Sequence, residues 1–225
     1  MPTISESVLV PVDGAGVPGD LVVPPGARAV VLFAHGSGSS RHSPRNRAVA
    51  AELRTAALGT LLIDLLTEEE DRRDELTAEH RFDIPLLGGR VVAAIDWLAT
   101  QPATRDLPVA LFGASTGAAA ALVAAARRPD RVLTVVSRGG RPDLAGDALP
   151  AVRAPVLLVV GGRDTEVLAL NEEALRRLRA PHHLYVVPGA THLFEEPGAL
   201  EQVAATVRRW CAAEAEGASG AYAVQ

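Results

Sequence analysis

Short apolar runs, each followed by a turn-rich stretch and then a helical repeat, recur along this chain. Ala29 to Ala34, Thr60 to Leu66, Pro108 to Phe112, Val132 to Val136, Pro155 to Val160 and His183 to Val187 are largely continuous in apolar residues. Such runs suit strands buried on both faces. Between them, Arg45 to Leu58, Ile84 to Thr100, Ser115 to Arg128, Leu168 to Leu178 and Gly198 to Ala213 carry apolar positions at helical spacing. Gly59, Pro102 and Pro129 mark the ends of three of these helices, and Pro197 marks the start of the last. Near the N-terminus, Ser7 to Val12 and Leu21 to Val23 flank the turn-rich stretch Asp13 to Gly19, which predicts a hairpin at one sheet edge. Strands alternating with helices imply βαβ units, a mostly parallel sheet and helices on both of its faces.

One segment breaks the pattern. Thr67 to Asp83 is dense in acidic and basic residues and poor in apolar ones. It predicts a solvated helix or loop, or else a small lid over a site, and it is too short for a separate cap domain. At 225 residues the chain has room for one full core, so a single domain is expected over residues 1–214, with a frayed, small-residue tail at 215–225.

Composition narrows the possible chemistry. A net charge of -5 argues against nucleic acid or an anionic membrane as partner. Every basic residue is arginine, which excludes a Schiff-base lysine, a Walker-type phosphate lysine and a Ser-Lys dyad. The single cysteine, Cys211, falls in a helical pattern and is expected to be a packing residue; it excludes an internal disulfide and a multi-cysteine metal site. The first residues lack a secretory pattern and no apolar run approaches the roughly 20 residues of a membrane span. A cytoplasmic protein without bound metal or cofactor is therefore expected.

In a parallel sheet, active sites gather at the carboxyl ends of the strands. Those ends here carry His35-Gly36-Ser37-Gly38, Gly113-Ala114-Ser115-Thr116-Gly117, Arg138-Gly139-Gly140, Arg163-Asp164 and His192. Taken alone, the Gly-x-Ser-x-Gly pentapeptide fits either a nucleophile raised on a strand-to-helix turn or a serine that caps the helix. A serine nucleophile needs an imidazole to take its proton and a carboxylate to orient that imidazole. Ser115, Asp164 and His192 follow the order serine, acid, histidine, each just after an expected strand. Asp143 and Asp147, after the preceding strand, are the other candidates for the acid. His182 and His183 start a strand at the wrong edge, His80 lies in the charged segment, and His35 is expected to hold the backbone of its turn. The backbone N–H groups of Thr116 and Ser37 are the expected oxyanion donors. Gly36 and Gly38 let that turn approach closely, and His35, Arg41 and Arg138 are further candidates for the substrate-binding rim. Ser39, Arg41 and Arg45 could orient the turn or meet an anionic group.

These motifs, together with Gly161-Gly162-Arg163-Asp164 and Gly189-Ala190-Thr191-His192-Leu193-Phe194, make the chain similar to the α/β-hydrolase superfamily, and more closely to its dienelactone-hydrolase-like branch. The resemblance runs from about Val8 to Trp210. It implies a three-layer fold with an eight-stranded sheet and no large cap, a serine-type triad, and ester hydrolysis without cofactor. Within that branch the chain looks like a small hydrolase domain that occurs alone or behind a phosphoribosyltransferase domain, and no transferase segment is expected in it. True dienelactone hydrolases use a cysteine nucleophile where this chain has Ser115. Ordinary carboxylic esters with short acyl groups are thus the expected small-molecule substrates of a monomer or homodimer. A dienelactone-type lactonase, a thioesterase, an acyltransferase or a non-catalytic partner module are the alternatives.

Overall fold

The structure is a computed structural model and describes residues 2–12 and 14–217. Eight strands form one sheet: β1 (Ile4–Val12), β2 (Ala15–Val23), β3 (Val30–Ala34), β4 (Gly59–Ile63), β5 (Val109–Ala114), β6 (Val132–Arg138), β7 (Val156–Gly161) and β8 (His182–Val187). Their order across the sheet is β1-β2-β4-β3-β5-β6-β7-β8. β2 runs antiparallel to both of its neighbours, and every pair from β4 through β8 is parallel. The mostly parallel eight-stranded α/β-hydrolase fold expected from the sequence is thus present, without a large cap.

The helices are α1 (Pro44–Arg54), α2 (Glu68–Thr77), α3 (Ile84–Leu98), α4 (Thr116–Arg127), α5 (Thr165–Arg177) and α6 (Ala199–Ala215), with a 3-10 segment over Pro142–Ala151. The central strands are buried along their full length because both faces are covered. In β3, Val30, Leu32 and Ala34 belong to the core on the α3 and α4 side of the sheet, whereas Val31 and Phe33 belong to the core on the α1 and α6 side. This alternation across two cores is why the sequence shows unbroken apolar runs rather than period-two patterning. Cys211 lies buried in the α1/α6 core. Among the described residues no helix is long and apolar enough to cross a membrane.

Element bounds differ from expectation at the hairpin, at β4 and at the end of α6, whereas the charged segment is a solvated helix, one of its expected forms. The hairpin has no seven-residue connector: Val12 pairs with Ala15, Gly14 carries a φ of +80, and Ala15 to Gly19 belong to β2. Gly16, Pro18 and Gly19 read as turn residues, yet β4 pairs only with Gly19 to Val22, so Pro18 deprives no β4 partner of a hydrogen bond. β4 ends at Ile63 rather than Leu66. The charged segment forms α2, started by a capping box in which Thr67 and Glu70 exchange hydrogen bonds. The expected frayed tail falls, for residues 218–225, outside the described residues, and Ala215 itself closes α6.

Candidate active site

β5 ends at Ala114 and α4 begins at Thr116, so Ser115 alone makes the turn, at φ +50 and ψ −121. A non-glycine residue in that region costs on the order of 1–3 kcal/mol and persists only where its surroundings hold it. Here the holding is explicit. The Ser115 N–H donates to the Arg138 carbonyl at 3.4 Å, and the Ser115 carbonyl accepts from the N–H groups of Arg141 at 3.0 Å and Ala118 at 3.1 Å. The Ser115 side chain makes no capping hydrogen bond to α4, which removes the reading of this serine as a helix cap. Its hydroxyl has no hydrogen-bond partner among the described residues, His192 included.

The flanking glycines are demanded by space. A Cβ on Gly117 would lie well under 3.0 Å from the carbonyl oxygens of Ala34 and His35, and one on Gly113 would collide with the backbone of Gly117 and Ala118. β5, α4 and the end of β3 are thus in backbone contact around the serine.

The turn after β3 passes directly beside it, since a Cβ on Gly36 would stand 2.9 Å from that of Ser115. His35 anchors this turn. Its Nδ1 lies 2.9 Å from the Gly36 carbonyl and its Nε2 accepts the Leu65 N–H at 3.0 Å. This network assigns a neutral ring with the proton on Nδ1. Burial pushes the His35 imidazole below its usual range. Neither the Ser37 N–H nor the Thr116 N–H donates to a protein acceptor among the described residues. Thr116 is the first residue of α4, where the amide has no intrahelical partner.

Asp164 and His192 come from the ends of β7 and β8. The Nδ1 of His192 is 2.6 Å from Oδ2 of Asp164, with the carboxylate side chain 14% exposed and the imidazole 39%. Asp164 occupies the N-cap position of α5 but makes no side-chain cap bond, which leaves its carboxylate to the histidine. The two loops are zipped together by Arg163 N–H to Ala190 O at 2.9 Å and Gly162 N–H to Val187 O at 2.9 Å. Of the other acids weighed, Asp143 grips Arg141 through two bonds of 2.9 and 2.7 Å, and the exposed Asp147 bonds Arg177 at 3.1 Å. His80 pairs with Glu79, and His182 bonds the Ala180 carbonyl at the far edge.

The arginines have different settings. Arg41 is tied to Asp64 through its backbone N–H at 2.7 Å and through its guanidinium, with Asp20 at 3.8 Å. Arg138 is buried, donates to Asn46 Oδ1 at 3.3 Å and lies 5.8 Å from the centroid of the Phe194 ring. Burial, and then the neighbouring Arg45, pushes its guanidinium down to about 10. Arg45 pairs with Glu195 at 3.2 Å.

Three supports lie outside the candidate residues read from the sequence. Glu196 accepts the Thr191 N–H at 3.0 Å and so staples the turn that bears His192; hydrogen bonding from Thr191 holds its carboxyl below the usual range. Asp74 of α2 binds the backbone N–H groups of His80 and Arg81 at 2.7 and 2.9 Å, together with the Arg81 guanidinium. This brings Asp74 and Arg81 to the wall of a hollow shared with Ser37, Leu87 and Thr116, so the charged segment flanks the turn after β3. Asn171 of α5 is the third support, reaching the Gly140 carbonyl. Among the described residues no group of three or more His, Cys, Asp or Glu side chains could hold a metal ion.

Comparison with known proteins places the chain in a family. The family model described as "Dienelactone hydrolase family" matches residues 26–215. The crystal structure of a dienelactone hydrolase from Anabaena variabilis is 57% identical, covers 93% of this chain and 97% of its own, and superposes with a TM-score of 0.91. Est1E from Butyrivibrio proteoclasticus, 16% identical, shares the fold at a TM-score of 0.78 over 92% of this chain and 98% of its own. A Mycobacterium tuberculosis protein provisionally named a phosphoribosyl transferase is 57% identical over 209 residues, 93% of this chain. The chain spans only 46% of that relative's length. On the family match and the 57% identity across nearly the whole chain, this protein belongs to the dienelactone hydrolase family.

Proposed function

We propose that this chain hydrolyses carboxylic esters through an acyl-enzyme on Ser115. The observation that carries the reading is a serine held at φ +50 with an uncommitted hydroxyl, on the same sheet edge as a His192–Asp164 pair closed to 2.6 Å. In this mechanism His192 Nε2 takes the Ser115 proton as Oγ attacks the ester carbonyl, and Asp164 stabilises the imidazolium that forms through Nδ1–H. The tetrahedral oxyanion accepts from the free N–H groups of Thr116 and Ser37. A single donor of this kind is worth about 10²- to 10³-fold in kcat. His192 then returns the proton to the leaving alcohol, and a water deprotonated by the same imidazole cleaves the acyl-enzyme.

Short acyl esters fit best, because the fold has no large cap and only 4% of the residues are aromatic. Gly36 and Gly38 bring the turn's amides to the carbonyl, and His35 acts by holding that turn. Arg41, already paired, and Arg138, already buried, shape the rim in this reading rather than bind an anion. The transferase name of the mycobacterial relative belongs to a protein about twice as long, and we assign the hydrolase chemistry to the half that this chain matches. A fluorophosphonate probe tests the reading: the intact mass of the wild-type chain should rise by one phosphonyl adduct, and Ser115→Ala should remain unlabelled. An unlabelled wild-type chain would sink it. A panel of p-nitrophenyl esters, a lactone, a thioester and added alcohol acceptors then separates esterase from lactonase, thioesterase and acyl transfer.

A further inference from the structure

Asn171 is completely buried in the middle of α5, where the other buried positions of the helix are Val167 and Ala174. Its Nδ2 donates to the Gly140 carbonyl at 3.0 Å and to the Val167 carbonyl one turn back at 2.7 Å. Its Oδ1 is buried without a partner. An orphaned acceptor in a core is destabilising, and asparagine is a mediocre helix former, so packing and propensity alone would favour leucine at this position. Buried polar groups that oppose stability in this way cluster where function constrains the chain.

What Asn171 grips is the loop after β6, and that loop touches the proposed triad. Arg138 accepts the Ser115 N–H, and Arg141 donates to the Ser115 carbonyl, so the loop brackets the strained residue from both sides. Between them, Gly139 sits at φ +51 with its N–H on the Val159 carbonyl at 2.7 Å. A Cβ there would stand 3.1 Å from the His192 carbonyl and 3.5 Å from Cε1 of its ring. Gly140 packs on Ala118 in the first turn of α4, where a Cβ would come within 2.5 Å. α5, the helix from which Asn171 reaches, begins directly after its N-cap residue Asp164.

We infer that Asn171 is a positioning residue: through the Gly140 carbonyl it locks the loop of residues 138–141 to α5, and so fixes Ser115 relative to the Asp164–His192 pair. The inference rests on the hydrolase reading above. No bond to substrate is involved. Without the amide donor, the loop keeps its backbone hydrogen bonds to Ser115 and β7 and the Arg138–Asn46 bond, and the distance between nucleophile and base is no longer set from the α5 side. A misplacement near 1 Å costs up to about 100-fold in rate.

The test uses the full chain and the variants Asn171→Leu and Asn171→Asp, with Ala174→Gly as a control that weakens the same helix at a buried position away from the loop. Expected for both Asn171 variants is a kcat lowered about 10- to 100-fold on p-nitrophenyl acetate at nearly unchanged KM. The rate of fluorophosphonate labelling should fall by a similar factor, and the pH profile should keep its shape. Ala174→Gly should unfold at lower urea and keep wild-type kcat. Wild-type labelling and kcat in Asn171→Leu overturn the inference. So does an equal loss of kcat in Ala174→Gly at matched stability, since that would make the effect one of general loosening. A wild-type chain that the probe does not label removes the hydrolase reading and this inference together, which distinguishes the two failures.

Discussion

Helix propensity says that replacing glycine by alanine within a helix should stabilise it, by about 0.5–1 kcal/mol. The structure predicts opposite outcomes for this one substitution at two sites. In α3 a Cβ on Gly89 would meet nothing within 4 Å, so Gly89→Ala should gain roughly that full amount and leave activity unchanged. In α4 a Cβ on Gly117 would meet the carbonyls of Ala34 and His35 well inside 3.0 Å. Those atoms are backbone at the end of β3 and cannot rotate away. Restoring ordinary contact requires α4 and the turn after β3 to part by about 1 Å, and overpacking of this kind costs about 1–3 kcal/mol, more than propensity returns. The same shift separates the Thr116 N–H from the Ser37 N–H, so kcat should fall about 100-fold. Urea unfolding midpoints at constant m, with p-nitrophenyl acetate turnover, measure both effects. A Gly117→Ala chain that unfolds at or above the wild-type midpoint and turns over normally would refute the packing argument and the proposed oxyanion geometry with it.

Removing the reacting groups should follow the pattern of serine hydrolases: Ser115→Ala or His192→Ala should lower kcat by roughly 10⁵- to 10⁶-fold and Asp164→Ala by about 10⁴-fold, read from initial rates at saturating ester. Asp143→Asn, by contrast, should stay within a few-fold of wild type, because that carboxylate is paired with Arg141 and not with His192. The buried His35 predicts an acid-side loss of stability. Its folded pKa is lowered, so the unfolded chain takes up the proton first; stability is full above about pH 6.5 and falls as pH drops through that value toward the folded pKa. Urea midpoints at pH 8, 6.5 and 5.5 should show this slope in the wild type and lose it in His35→Asn, whose baseline stability should be lower.

The parts of the molecule that can be read from the sequence share a physical cause. β3, β5 and β7 appear as unbroken apolar runs because a parallel strand is covered on both faces, and their carboxyl ends must reach one edge. A serine, an acid and a histidine placed after β5, β7 and β8 therefore show up as an order along the chain. α2 could not be identified in the same way, since only Asp74 of its residues is buried, and its stability comes from a capping box and from ion pairs of Glu70 with Arg90 and Asp74 with Arg81. No apolar stripe marks such a helix. β2 was obscured by Gly16, Pro18 and Gly19, residues that an edge hairpin tolerates because β4 covers so little of it.

The least legible part is what holds Ser115 in its strained conformation. Its bonds run to Arg138 and Arg141, and the loop carrying them is gripped by Asn171. Most of these are bonds to backbone N–H and C=O groups, which every residue type offers, so no side-chain pattern announces them. The reacting groups can be read from the sequence because their chemistry needs particular side chains in a particular order. The positioning cannot, because it requires only that distant backbone segments meet. A buried, half-satisfied asparagine in an otherwise ordinary helix is therefore the mark left in the sequence by that requirement, and its meaning appears only once the fold shows which carbonyl it holds.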